Sequence, residues 1–426
     1  MFRKRLLRDS FLATGFIFLL ILFFLKMSQI EKLFSLFDPI SQALGDVELT
    51  DLAFSELRQP KPYNLDSIQI VLVNIGDLDR GKIGEELDII NSYDPKVIGI
   101  DIFFENRSAD TLGDIKLANA LSKIPNLVTY SKAINTEGSE DVMEKLEMSH
   151  PMFQYGKTGA TNLFTDAQVQ HQYKVCRTFP PVLGINGEQE LSFALQVMAN
   201  YKPEKVEKFL EFSDRDEEII NYTSNIQIFG ESSIGVKFIA LDVEDVFDRN
   251  FNPDVIKDKI VLFGYMGDTF YDTAWEDKFF TPMNKRYAGR SNPDMYGIVI
   301  HANIIQMLLD EDYIDYQGNL SAFITAVIIC FLNVWFFSWI YWSLPLWYDG
   351  LTKVIQLMEL FIIVLINIYV FHWFSYKTEL TLAAACVALA GDSLEVFYGL
   401  LVNMFSHEGR NKLFKIHRIV KKVKRS

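Results

Sequence analysis

Long apolar runs occupy the two ends of the chain, and shorter ones punctuate its middle. Residues 11–25 are almost wholly apolar and follow Arg3, Lys4, Arg5 and Arg8. A basic flank ahead of an apolar run marks a signal peptide or an uncleaved anchor. The next residues, Lys26-Met27-Ser28-Gln29-Ile30-Glu31, hold no small-x-small cleavage motif, so an anchor over 11–30 is expected. Three further runs, 320–342, 354–374 and 380–402, follow near the other end. Each reaches the ~20 residues that a spanning helix needs. Short connectors at 343–353 and 375–379 predict antiparallel neighbours.

The middle of the chain follows a different period. Residues 68–75 (IQIVLVNI) and 97–104 (VIGIDIFF) are continuous apolar runs of strand length, with a helical stretch at 85–92 between them. Strand, helix and strand within about 40 residues predict a right-handed parallel unit. A helix over 114–123, with Leu117, Ala118 and Leu121 on one face, and a strand at 126–131 continue the pattern. It recurs as a helix over 188–200, a strand at 225–229, a short helix at 242–248, a strand KIVLFG at 259–264 and a helix GIVIHANIIQMLLD at 297–310. Wholly apolar strands imply a sheet covered on both faces. The expected fold class is an α/β domain with a mainly parallel sheet over 31–319, plus four transmembrane helices.

Charge adds the topology. The 426 residues are 49% hydrophobic and carry a formal net charge of −14. That content excludes a disordered chain, and 3 Cys exclude a disulfide-built scaffold. An acidic total argues against a nucleic-acid partner. Residues 1–27 carry +4, 402–426 carry +7 and 320–401 carry −3, which leaves −22 for 28–319. Lys and Arg beside a span favour the cytoplasm. The basic head (1–10) and tail (403–426) are therefore expected inside and residues 31–319 outside, an arrangement that four spans satisfy. Within the tail, Leu413, Ile416, Val420 and Val423 form a stripe among basic residues. It suits an anionic lipid surface, a cytoplasmic partner or a second copy of the chain.

Catalytic signatures are missing: there is no Gly-x-Ser-x-Gly, Gly-x-Gly-x-x-Gly, phosphate-binding Lys loop or His-Glu-x-x-His. No enzyme, cofactor or metal is expected. Cys176 is the only Cys between 31 and 319 and reads more plainly as an inert thiol than as a nucleophile. Asp77 and Asp101 follow apolar strands, where an open α/β sheet faces its ligand. The plainer role for such Asp residues is a cap or a turn. His301, with Asn303 beside it, either meets a ligand together with these acids or packs its helix on the sheet as a bonded buried His. Glu359, Asp392 and Glu395 are acids within or beside the last two runs. Intramembrane acids serve partner helices or proton coupling. A span beginning nearer 376 would instead leave Asp392 and Glu395 at the headgroups, paired with Lys353.

These residues resemble the CHASE2 domain, an extracytoplasmic sensory module of bacterial signalling proteins. The likeness begins at 68–75 with Asp77 behind it and continues through VIGIDIFFE, where Asp101 matches a strand-end Asp. It includes Asp114 ahead of Leu117-Ala118-Asn119-Ala120-Leu121, and GATNLFTD at 159–166. Residues 191–194 are similar to a short Leu-rich helix of the family. KIVLFG followed by Asp272, Thr281-Pro282 and Tyr296-Gly297-Ile298-Val299-Ile300-His301-Ala302-Asn303 is its most specific stretch. A loop of the Trp-Pro-Trp type is absent, with DRGKIGE at 79–85 in its place. Tyr296 stands for the usual Pro and Val299 for an acid beside the His. The resemblance covers roughly 35–315 and implies one span before the domain and three after it. Through it, Asp272 joins Asp77, Asp101, His301 and Asn303 as a candidate ligand residue.

The resemblance implies a multi-pass protein of the bacterial inner membrane that senses a small ligand or an envelope state. Family members usually carry a kinase or cyclase after the last span, and the residues after Val402 leave no room for one. The signal is therefore expected to leave through partner proteins in the envelope or cytoplasm. The rival is a structural or assembly subunit that uses the outer domain as a docking surface.

Overall fold

The computed structural model describes residues 2–28, 48–58, 68–135, 143–163, 175–226, 238–270, 276–284 and 292–402. Two compact units emerge: Asp46–Ile314, and Met1–Gly45 with Asp315–Ser426. The expected basic tail lies outside the described residues.

The first unit is built on a parallel-rich sheet. Its strands are β1 (Ile70–Asn74), β2 (Val97–Ile100), β3 (Leu127–Asn135), β4 (Met143–Met148), β5 (Lys157–Ala160), β6 (Ile239–Leu241) and β7 (Ile260–Gly264). The order is β6-β1-β7-β2-β3-β4, with β5 also on β3. Every pairing is parallel except β3 with β4. β1, β2 and β7 are buried at every position, as strands covered on both faces must be. Helices α1 (Arg80–Asn91) and α2 (Thr111–Ser122) send Ile83, Leu87, Leu117 and Leu121 into one cluster with Val71, Val73, Ile98 and Phe263. Burial of each such side chain stabilises the fold by about 1.5–3 kcal/mol. The two helices touch backbone to backbone: a Cβ on Gly84 would stand 3.0 Å from the Leu117 nitrogen. α3 (Phe193–Tyr201) packs on β2, β3 and β5, and α5 (Gly297–Asp310) packs on β1 and β7; α4 (Pro203–Phe212) lies against both of these helices.

Two expectations are corrected. The helix anticipated over 188–200 is a strand, Glu188–Leu191, followed by α3. Asn186 and Gly187 turn through positive φ, 51° and 86°, and fold Val182–Ile185 back on Glu188–Leu191. Ser192 then accepts from the Leu195 N–H and caps α3, so the helix begins later than its apolar spacing implies. The strand anticipated at 225–229 is also absent where it is described: residues 221–226 are irregular, and 227–229 lie outside the described residues. The edge position belongs to β6.

The second unit is helical. Phe2–Ser28, Asn319–Ser343, Tyr348–Phe374 and Thr381–Phe397 are its long helices, the last continued by a π turn over Tyr398–Val402. All four are long and apolar enough to cross a membrane. Below, they are spans one to four. Spans one, two and four share a core of Ala13, Ile17, Cys330, Val334, Phe337, Cys386, Ala390 and Leu394. Small residues there permit close backbone approach. Span three packs mainly on span four.

Candidate functional site

Beyond the carboxyl end of β2, Asp101 meets His301 of α5. Asp101 follows β2, and its N–H donates to the Phe263 carbonyl at 2.9 Å. That bond extends the ladder by one residue and aims the Asp101 carboxyl at α5. His301 lies one turn into α5, with its Nε2 3.9 Å from Asp101 Oδ2. The side chains are 2% and 15% exposed. The Thr161 backbone bears on the His301 ring, and among the described residues neither ring nitrogen closes a hydrogen bond of full geometry. The Phe193 ring closes its flank at 5.1 Å.

Electrostatics at this end are dominated by burial. Burial drives the His301 pKa down to about 3, so the imidazole is neutral at physiological pH. Asp101 is pushed up to about 8, first by burial and then by Asp277, while Lys132 on β3 pulls it back. Asp277 is pushed up to about 7 by burial and by Glu276, again offset in part by Lys132. Its backbone carries a left-handed φ of 53°. Its carbonyl accepts the Gly297 N–H at 3.1 Å, and a Cβ on Gly297 would stand 3.4 Å from both of its carboxyl oxygens. Asp277 therefore sits over the first turn of α5, where the helix dipole favours an acid. Tyr130, stacked on Phe103 at 4.9 Å, has its phenol raised to about 12 by burial and by the Asp101 charge.

The residues singled out from sequence meet different fates. Asp101 and His301 come together. Asp77 is exposed, and among the described residues no hydrogen bond or ion pair joins it to either. Asp272 lies outside the described residues. Asn303 is fully engaged: its Oδ1 accepts from the N–H groups of Thr223 and Ser224, and its Nδ2 donates to the carbonyls of Ser224 and Val299. Cys176 is buried, and burial pushes its thiol up to about 12, which makes it a poor nucleophile.

In the helical unit, Asp392 pairs with Lys353, both more than half exposed, and Glu395 is exposed. Glu359 is partly buried with Asn333 as a neighbour, and its Oε2 has no hydrogen-bond partner among the described residues. The sequence reading did not include Asp277, Lys132, Tyr130 or Glu86. Glu86 is fully buried on α1, and among the described residues neither carboxyl oxygen has a hydrogen-bond partner. Its position among Ile83, Leu87 and Ile90 on the apolar face was a readable signal.

Chemically, Asp101 and a neutral His301 face each other in an enclosed position flanked by Phe193, with Asp277 acting on Asp101 as a neighbouring charge. Among the described residues no group of three His, Cys, Asp or Glu side chains converges to hold a metal ion. A separate, open cavity of about 450 Å³ lies near the start of β5, lined by Thr129, Gln154, Lys157, Glu190 and Gln196. None of its side-chain groups is buried without a partner.

A family model described as the CHASE2 domain matches residues 15–344. Neither a curated protein nor a solved structure matches the chain.

Proposed function

Because the chain belongs to the CHASE2 domain family, a family of sensory domains, we propose that it is a bacterial inner-membrane sensor whose signal leaves through partner proteins. In this reading the α/β unit lies outside the cytoplasm, and the four apolar helices carry its state across the bilayer. The basic head before span one and the basic residues after span four support that orientation. The observation that carries the sensory role is the pair Asp101 and His301. A buried imidazole whose nitrogens find no hydrogen-bond partner among the described residues costs free energy that a hydrogen-bonding ligand would relieve. Its place at the carboxyl ends of parallel strands is where ligands enter such sheets.

Purification from native membranes tests the reading. Mass spectrometry after denaturation is expected to find a released small molecule, and the intact preparation is expected to retain a protein partner. A protein that releases nothing, yet holds a partner on the α/β unit irrespective of Asp101 or His301 substitution, would be a docking subunit instead.

A further inference from the structure

We propose that the open cavity near the start of β5 binds the zwitterionic head group of an α-amino acid, at a site separate from Asp101 and His301. Its volume of about 450 Å³ falls within the roughly 300–1,000 Å³ of small-molecule sites. Two opposite charges line it: Lys157 opens β5, and Glu190 comes from the strand Glu188–Leu191. Among the described residues neither of them joins an ion pair, with the other or with a third group. Ser131 on β3 is wholly buried, and its hydroxyl donates to Glu190 Oε1 at 2.9 Å. That bond fixes the carboxylate and leaves Oε2 for a ligand. Gly156 sets the backbone ahead of Lys157 through a φ of 72°, where a Cβ would run into the Leu127 carbonyl.

The neutral groups of the cavity add acceptors. Gln154 Nε2 donates to the Ser149 carbonyl at 2.6 Å, and Gln196 Nε2 donates to Asn200 Oδ1 at 3.2 Å. Each amide thereby keeps its oxygen as an acceptor. With Glu190 Oε2, these oxygens suit the N–H donors of a ligand ammonium, and the Lys157 ammonium suits a ligand carboxylate. A simple anion would answer Lys157 and be repelled by Glu190. A simple cation would do the reverse. A neutral polyol would displace water from both charges and pair neither, which costs free energy. An α-amino acid carries both complements on one carbon. The site also adjoins the elements around His301. Gln196 and Phe193 share α3, and Phe193 flanks the His301 ring. Lys157 opens β5, and Thr161, just past its far end, bears on that ring.

Calorimetric titration of the full chain in lipid nanodiscs tests this with L-alanine, L-serine, L-glutamine, L-leucine and L-phenylalanine in turn. Saturable binding of at least one is expected, about tenfold or more tighter than its analogues that lack the carboxylate or the ammonium. For alanine these analogues are ethylammonium and propionate. Lys157→Met and Glu190→Gln should each weaken binding about tenfold, with unchanged thermal melts. The glutamine oxygen still accepts from Ser131, so Glu190→Gln removes the charge and keeps that support. Asp101→Asn, in a preparation that melts as wild type does, should leave the affinity unchanged. Binding of none of these amino acids, equal binding of an analogue, or binding of D-glucose in their place overturns the proposal. So does binding that survives both cavity variants, or binding lost in Asp101→Asn alone. Each failure leaves the sensor reading standing, because that reading rests on Asp101 and His301 and is tested by what native membranes release.

Discussion

Asp114 Oδ1 accepts a 2.8 Å hydrogen bond from Arg80 Nη1, and the Asp114 side chain is wholly enclosed. Its carboxyl also accepts from the Ser108 N–H and hydroxyl, each at 2.9 Å. One buried acid thus ties together the start of α1, the first turn of α2 and the loop before α2. Burial raises the Asp114 pKa, but the bonds from Arg80 and Ser108 outweigh it, and the carboxyl is held below its ordinary value.

Asp114→Ala is therefore expected to destabilise the α/β unit by about 3 kcal/mol, since it strands Arg80 and the Ser108 N–H. The stabilisation is complete above the unfolded carboxyl pKa and is lost as pH falls through the lower folded one. The variant's deficit should then shrink in strong acid. Chemical denaturation at pH 7 and at low pH measures both, and a deficit that does not change with pH counts against the account.

Glu86 makes the opposite case. Burial, with Asp242 adding a like charge, raises its pKa to about 8. The native state then binds a proton that the unfolded chain releases near pH 4. Its contribution is fully present below that pH and is lost as pH rises to about 8. Glu86→Met fills the same space without a buried acid and is expected to stabilise by about 1–3 kcal/mol, most at pH 8 and above. A variant that melts lower than wild type at pH 9 would show that Glu86 has a partner of its own.

Asn303 holds the irregular segment 221–226 onto α5. Asn303→Ala leaves the Thr223 and Ser224 N–H groups without their acceptor. The expected cost is about 2–4 kcal/mol. Hydrogen exchange at those two amides should accelerate more than exchange in β1 or β7. Uniform acceleration would mean that Asn303 supports global stability only.

The central strands were legible because burial on both faces leaves them wholly apolar: IVLVN, VIGI and IVLFG stand within the runs read from sequence. α5 matches its predicted bounds, 297–310, since a glycine opens it and an acidic, polar stretch follows it. β6 was not legible, because three residues carry too little periodicity to separate strand from loop. Strand Glu188–Leu191 was read as helix, because Leu191 continues the spacing of Ala194, Leu195 and Met198 across the Ser192 cap. Strand-end logic offered Asp77 and Asp101 alike as neighbours of His301, and the structure brings Asp101 to it. It did not offer Asp277, since its role depends on a left-handed turn packing over α5, which nothing in the local pattern encodes.

Span three is held on span four by polar contacts. Tyr348 Oη donates to the Gly391 carbonyl at 2.8 Å, and Gln356 Nε2 donates to the Val387 and Ala388 carbonyls at 2.7 and 3.0 Å. A Cβ at Gly391 would stand 2.9 Å from Gln356 Oε1. Gly391→Leu is expected to part the two helices at a cost of about 1–3 kcal/mol, with Gly391→Ala milder. Thermal unfolding in detergent checks the order, and equal melting of Gly391→Leu and wild type would exclude close packing there.

Asp101 and Asp277 give a last test. Asp101 and Asp277 are both raised, to about 8 and about 7, so each favours the folded state in acid and loses that contribution as pH rises through those values. Asp101 feels Asp277 and Lys132, Asp277 feels Glu276 and Lys132, and Tyr130 feels Asp101 in turn. Lys132→Met removes the cation that opposes both among the described residues and should move both titrations to higher pH. Asp277→Asn removes a like charge and should move Asp101 to lower pH. Carboxyl ¹³C shifts of Asp101 across pH 5–9 (a window spanning the values above) would separate the two variants by sign. Shifts in the same direction in both would mean that Asp101 responds to solvent exposure and not to its charged neighbours.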